Sequence, residues 1–272
     1  MATILIEGFD KYGPANINLP TLFASLSQGG WNVTGNGIGV PAEEVSIVNG
    51  LTGSGYALAI VPNASGDEAI VNVNRALGAN YGQIIGGFRF TVDYPEDEGL
   101  IGIQLTDNIT SQCSIWIRPL SGTISITEGN NGTVLATSAA AVAYNTTHYL
   151  EFSISFGSSG SGTYTIWLDG VQILNGTGTT QQSANAYCNV FQYTATAPTA
   201  TPASIIVDDM YLFDTTTGFN NAALLTNPVV VTQWPTADQQ TEFTNLGNAF
   251  GNTYSANSGS YSDNANSLYL AV

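Results

Sequence analysis

Between His148 and Phe156 apolar and polar side chains alternate without a break. Leu150, Phe152, Ile154 and Phe156 share one face, while Tyr149, Glu151, Ser153 and Ser155 share the other. A period of two is what a strand with one buried face requires, and no helix gathers these residues on one side. The next run repeats the device, with Tyr164, Ile166 and Leu168 on one face and Thr163, Thr165 and Trp167 on the other. Asp169-Gly170 follows, and then Val171-Gln172-Ile173-Leu174. Asp-Gly between two such runs predicts a two-residue hairpin, because both central residues of a type I′ turn need positive φ.

Further strand-like runs lie at 3–7, 56–60, 70–74, 84–92, 100–105, 114–118, 123–127, 189–193, 204–213 and 229–233, separated by Gly, Pro, Asn and Asp clusters such as Asn63-Ala64-Ser65-Gly66-Asp67. Short strands at near-regular spacing with no helical pattern between them predict an all-β fold. Its form is a two-sheet antiparallel jelly-roll sandwich rather than a set of βαβ units. One short helix is predicted at 19–26, where Leu19, Leu22, Phe23 and Leu26 fall at i, i+3, i+4 and i+7 and Pro20 occupies the first turn. The 272 residues divide into a body over 1–237 and an arm over 238–272, the latter rich in Asn, Ser and Gly and ending in apolar Leu268-Tyr269-Leu270-Ala271-Val272. Leu268, Tyr269, Leu270 and Val272 are the assembly candidates, a strand that docks on its own body or on a neighbour.

Charge excludes whole classes of function. The chain holds 4 Lys and Arg against 20 Asp and Glu, a formal charge of -16, and its cations are Lys11, Arg75, Arg89 and Arg118. Nucleic acid is gripped by Lys and Arg that neutralise phosphates, and anionic lipid surfaces need the same cations, so neither is an expected partner. Only 9% of residues are charged, and Ser, Thr, Asn and Gly supply the polar surface instead. The opening Met1-Ala2-Thr3-Ile4-Leu5-Ile6-Glu7 has neither a basic n-region nor an apolar span, so no signal peptide and no membrane insertion is expected. Cys113 and Cys188 stand far apart in sequence, either bridging two strands or remaining as reduced, buried thiols; without an export signal the second is expected.

Residues suited to chemistry are sparse. A glycosidase needs two carboxylates flanking the sugar, and no Glu-x-Asp-x-Glu strand occurs; Glu96-Asp97-Glu98, between Pro95 and Gly99, reads as a solvated turn. His148 is the only histidine, stands at the head of an alternating strand and has no Gly-x-Ser-x-Gly partner, so it reads as a hydrogen-bonded strand-start residue. On this basis the chain is expected to be no enzyme and to need no cofactor. Asp208, Asp209 and Asp214 are candidate calcium ligands, weighed against a carboxylate that accepts backbone N–H groups from an adjoining loop; the latter is favoured because the Asp-x-Asp-x-Asp-Gly spacing is missing. Trp116 shares a face with Arg118, and Trp167 shares one with Thr163 and Thr165. These two tryptophans are the candidates for an exposed platform that stacks on a sugar.

The paired runs 148–154 and 164–170 with their Asp-Gly turn resemble those of concanavalin A-like, laminin-G-like jelly rolls. The stretch Ile206-Val207-Asp208-Asp209-Met210-Tyr211-Leu212-Phe213-Asp214, followed by Asn220-Asn221 and the run from Leu224 to Trp234-Pro235, is similar to the closing part of virion proteins of tailed bacteriophages. The opening Ile4-Leu5-Ile6-Glu7-Gly8-Phe9-Asp10 is similar to theirs as well, whereas Asn227-Pro228 replaces their Gly-Asp. The resemblance implies a structural virion protein assembled in the bacterial cytoplasm and displayed on head or tail as a decoration, spike or fibre subunit. Its partners would be other capsid or tail proteins and copies of itself. The alternative is a carbohydrate-binding adhesin that contacts a host surface glycan.

Overall fold

The computed structural model describes residues 3–14, 19–35, 45–62, 69–92, 100–197, 204–215, 229–233 and 267–271. In chain order the first strands are β1 (Thr3–Glu7), β2 (Trp31–Gly35), β3 (Val45–Asn49), β4 (Tyr56–Ile60), β5 (Ala69–Tyr81), β6 (Gln83–Val92), β7 (Ile101–Asp107), β8 (Thr110–Arg118) and β9 (Thr123–Glu128). Then follow β10 (Val134–Thr137), β11 (Thr147–Ser155), β12 (Gly162–Leu168), β13 (Val171–Gly178), β14 (Cys188–Ala197), β15 (Ile205–Phe213), β16 (Val229–Gln233) and β17 (Ser267–Ala271). Helix α1 (Leu19–Gln28) lies between β1 and β2 and buries Leu22 and Leu26, two of the residues whose spacing predicts it.

Strands β16 and β17 form a separate two-stranded sheet, and β1 to β15 form a jelly-roll sandwich of two antiparallel sheets. One has the order β13-β12-β11-β6-β15-β4-β3, with β1 added beside β15, and the other the order β10-β9-β8-β7-β14-β5-β2. Their inward side chains make a single core: Phe88 and Phe90 of β6 and Leu150, Phe152 and Ile154 of β11 meet Ile101, Ile103 and Leu105 of β7 and Phe191 and Tyr193 of β14. Tyr193 is the hinge of that core, edge-on to Phe88 at 5.4 Å and to Phe191 at 4.9 Å, and stacked on Trp31 at 6.0 Å. Each such side chain contributes roughly 1.5–3 kcal/mol by leaving water.

The β12–β13 hairpin closes through Asp169 and Gly170 at φ 51° and 79°, the two positive values a type I′ turn demands. The Asp169 carboxylate also accepts the Tyr149 N–H at 2.8 Å and bonds the His148 Nδ1 at 2.7 Å. His148 Nε2 accepts the Ala143 N–H at 3.0 Å, so the ring proton sits on Nδ1. The lone histidine thus pins the strand start to the hairpin tip, with its ring against Phe90.

Three of the four cations face buried carboxylates. Glu7 is 1% exposed and accepts the Phe9 N–H, the Tyr12 hydroxyl and the Trp31 indole N–H at 3.1–3.2 Å, with Lys11 Nζ at 3.1 Å and Arg75 at 3.6 Å. A carboxylate is tolerated at that depth because partners surround it. Arg89 Nε bonds Asp209 at 2.7 Å on the outward side of the eight-stranded sheet, beside Tyr149, whose hydroxyl donates to the Asp209 carbonyl at 2.9 Å.

Strand β17 runs antiparallel to β16, with Leu268, Tyr269 and Leu270 opposite Thr232, Val231 and Val230. Val272, the expected turn at 96–98, the Asn227-Pro228 departure and most of the arm lie outside the described residues. Cys113 and Cys188 are buried and unbonded to each other. Among the described residues no helix is long and apolar enough to cross a membrane.

Candidate glycan-binding groove

The outward side of the seven-stranded sheet carries an open groove of about 610 Å³, within the ~300–1,000 Å³ of small-molecule sites. Strand register builds its floor. On β7, β14, β5 and β2, which lie side by side, Gln104, Gln192, Asn74 and Asn32 stand directly opposite one another. The result is a row of amides across four strands that spans ~14 Å at ~4.8 Å per strand. One level along, Thr194, Asn72 and Thr34 form a second row, which ends at Gly102 on β7. All point outward because their neighbours Ile103, Leu105, Phe191, Tyr193, Val71 and Val73 are buried in the core.

The rows hold each other in place. Gln192 Nε2 donates to Asn72 Oδ1 at 3.0 Å and to Thr194 Oγ1 at 2.9 Å, and Thr194 Oγ1 donates to Asn72 Oδ1 at 2.9 Å. Gln104 Nε2 donates to Thr194 Oγ1 at 3.1 Å and to Asn130 Oδ1 at 3.2 Å. Gln104 and Thr194 are buried at the floor, whereas Asn32, Thr34, Asn108 and Asn130 stand exposed at the rim. Among the described residues no hydrogen bond takes up the Asn32 or Asn74 side chain. Beside them Ile109, 98% exposed, projects from the β7–β8 turn. That turn is set by Asn108 at φ 54°, whose N–H donates to Asn189 Oδ1 at 2.7 Å.

The lining contains no Asp, Glu, Lys, Arg, His or Tyr among the described residues. What it offers is neutral donors and acceptors side by side. Arg118, on the same face of β8, lies outside the lining and donates its Nε to Ser125 Oγ at 3.2 Å.

The residues expected to form sites lie elsewhere and do not converge. Trp116 is only 1% exposed and donates its indole N–H to Thr127 Oγ1 at 3.1 Å, so it offers no open ring. Trp167 is half-buried on the outward side of the other sheet, opposite Glu151 and Gln172. The two tryptophans therefore cannot make one platform. Asp208 accepts the Leu51 N–H at 3.0 Å and the Asp209 N–H at 2.8 Å, while Asp209 pairs with Arg89. Each Asp208 oxygen thus accepts a backbone N–H, one from the adjoining loop and one from the next residue. Burial, and then the Asp209 charge, push the Asp208 carboxyl up to about 7. Asp214, buried at the end of β15, lies near Tyr81. No group of three or more His, Cys, Asp or Glu among the described residues is arranged for a metal ion.

The amide rows were not expected, because their members are scattered between 32 and 194. A signal was nonetheless available in Asn72-Val73-Asn74 and Gln192-Tyr193-Thr194, where amides and hydroxyls alternate with core residues although Asn is depleted in strands.

No protein-family model matches the chain, and no curated protein matches it in sequence. Solved structures resemble it in fold. An endo-β-1,4-glucuronan lyase from the fungus Trichoderma reesei shares the fold at TM-score 0.52 and 16% identity, over 68% of this chain and 92% of that one. A carbohydrate esterase of the Shiga toxin-encoding bacteriophage phi24B aligns at TM-score 0.49 and 18% identity over 78% and 97%. The carbohydrate-binding module CBM66 from Bacillus subtilis aligns at TM-score 0.42 and 10% identity over 67% and 94%. The first of these corrects the expectation of no enzyme. The missing Glu-x-Asp-x-Glu strand bears on glycoside hydrolysis alone, whereas a polysaccharide lyase is built on this same sandwich. The fold is thus one shared by an enzyme, and the lack of a hydrolase motif does not remove the chain from that class.

Proposed function

We propose that the chain binds glycans, holding an oligosaccharide across the amide rows of its seven-stranded sheet. The row Asn32, Asn74, Gln192 and Gln104 carries this reading. Asn32 and Asn74 offer both donors and acceptors, Gln192 and Gln104, whose Nε2 groups are used within the rows, offer their Oε1 acceptors, and strand spacing sets these groups at a regular interval along which a chain of hydroxyl-bearing rings can lie. The exposed Ile109 supplies an apolar surface for the C–H face of a ring. The glucuronan lyase supports the reading as a polysaccharide-acting protein on the same fold.

For its setting we propose the virion of a tailed bacteriophage, where the chain would be a homo-oligomeric decoration, spike or fibre subunit attached to capsid or tail and facing host surface glycans. The likeness of residues 4–10 and 206–214 to virion proteins supports this.

A glycan array followed by titration tests the site. The wild-type chain is expected to bind, and Asn74→Ala combined with Gln192→Ala to weaken binding at least ~10-fold, since two hydrogen bonds at ~1 kcal/mol each exceed one decade. Unchanged binding in a folded double variant would refute the groove. Chain-length analysis of the same mixtures reads cleavage. Immunogold labelling of purified virions tests the setting, and unlabelled particles would refute it.

A further inference from the structure

We infer that the groove selects uncharged glycans and excludes uronate polymers such as the substrate of the glucuronan lyase; this rests on the groove being the glycan site. A carboxylate that leaves water must meet a cation or several donors not already taken up by other acceptors, or else its transfer is unfavourable. The groove provides neither. Its lining holds no Lys, Arg or His among the described residues. Three of the four cations are held elsewhere by carboxylates, Lys11 and Arg75 by Glu7 and Arg89 by Asp209, and Arg118 stands outside the lining with its Nε on Ser125. The sequence has no fifth Lys or Arg in any segment.

The donors at the floor are committed as well. Gln192 Nε2 and Gln104 Nε2 each donate to two neighbours within the rows. A uronate would therefore be left with the Asn32 and Asn74 amides at the rim, each of which presents an oxygen beside its nitrogen. Around this neutral floor the chain carries a formal charge of -16, so the field at the groove repels a polyanion as it approaches. Hydroxyls suffer no such cost, since each can donate to the Gln104 and Gln192 carbonyl oxygens or exchange bonds with the Asn32 and Asn74 amides.

The test compares neutral and acidic oligosaccharides of matched length. β-1,4-Glucan, β-1,4-mannan and α-1,4-glucan represent the first class, and β-1,4-glucuronan, alginate and polygalacturonate the second. Each is titrated into the full chain at low and high salt, alongside Asn74→Ala combined with Gln192→Ala. A neutral glycan is expected to bind with a Kd that changes less than ~2-fold between the two salts, because screening acts on charges only. Every uronate is expected to bind at least ~10-fold more weakly than that glycan. A uronate that binds as tightly as any neutral glycan, and loses binding in the double variant, would overturn the charge selectivity while leaving the groove as the site. Binding of neither class would overturn the groove reading and this inference with it.

Discussion

Replacing Glu7 by Gln should be among the most destabilising single changes that preserve side-chain shape. The carboxylate accepts from Phe9 N–H, Tyr12 O–H and Trp31 N–H and faces Lys11 and Arg75. A hydrogen bond to a charged group contributes ~1.5–3 kcal/mol and a neutral one ~0.5–1.5. Removal of the charge therefore weakens three bonds by ~1 kcal/mol each. The new NH₂ also faces donors where an oxygen stood, while Lys11, whose side chain is 30% exposed, re-solvates at little cost. The sum is about 3–4 kcal/mol, in the range for breaking a buried ion pair. At ~2–4 °C per kcal/mol for a chain of this size class, the melting point should fall by ~6–16 °C. The change should also reach the groove: Trp31 and Arg75 are paired in register on β2 and β5, and their immediate neighbours Asn32 and Asn74 form the rim end of the amide row. Urea unfolding and calorimetry, with glycan titration of the folded variant, read both effects. A loss below ~1 kcal/mol, the level of a surface pair, would show that Glu7 is not the fastener described here.

Two further outcomes follow from buried groups. Asp208 has its carboxyl raised to about 7 in the folded chain against an ordinary 3.8, so the folded state holds the extra proton between these values and stability falls as pH rises through that window. Asp208→Asn should flatten this part of the wild-type curve, a difference of order 4 kcal/mol at full ionisation, read by urea midpoints from pH 4 to pH 8; superimposable slopes would contradict it. Trp116→Phe, which loses the bond to Thr127 but no exposed surface, should cost about 1 kcal/mol of stability and leave glycan affinity unchanged. A large loss of affinity on titration would return Trp116 to the binding surface.

Local signals made much of the sandwich legible. The Asp169-Gly170 turn and the alternation around it place β11, β12 and β13, and the spacing of Leu22 and Leu26 places α1. Strands β2 and β3 escaped because Asn32, Thr34, Ser46 and Asn49 dilute a short apolar pattern, and β10 because its four residues are too few to show a period; pairing with β5, β4 and β9 holds the three extended. The functional face was harder to read. Trp116 and Trp167 stand out in a sequence because large rings are conspicuous, yet cross-strand register decides which side chains meet, and it assembled Asn32, Asn74, Gln192 and Gln104 from four distant segments. Asp208 and Asp209 look like a pair of ligands until the irregular register of β15 between Asp208 and Tyr211, with Asp209 at φ 47°, turns one to the Leu51 N–H and the other to Arg89.

The central claim is that sugar lies on the amide rows, and side-chain amide resonances report it residue by residue. A perdeuterated, ¹⁵N-labelled chain is titrated with the neutral oligosaccharide that the array ranks highest. The NH₂ signals of Asn32, Asn74, Gln104 and Gln192 should shift together with one affinity, while Gln172 and the Trp167 indole on the opposite sheet stay still. Shifts confined to Gln172 and Trp167, with the four row amides unmoved, would contradict the account and transfer the site to the other face of the sandwich.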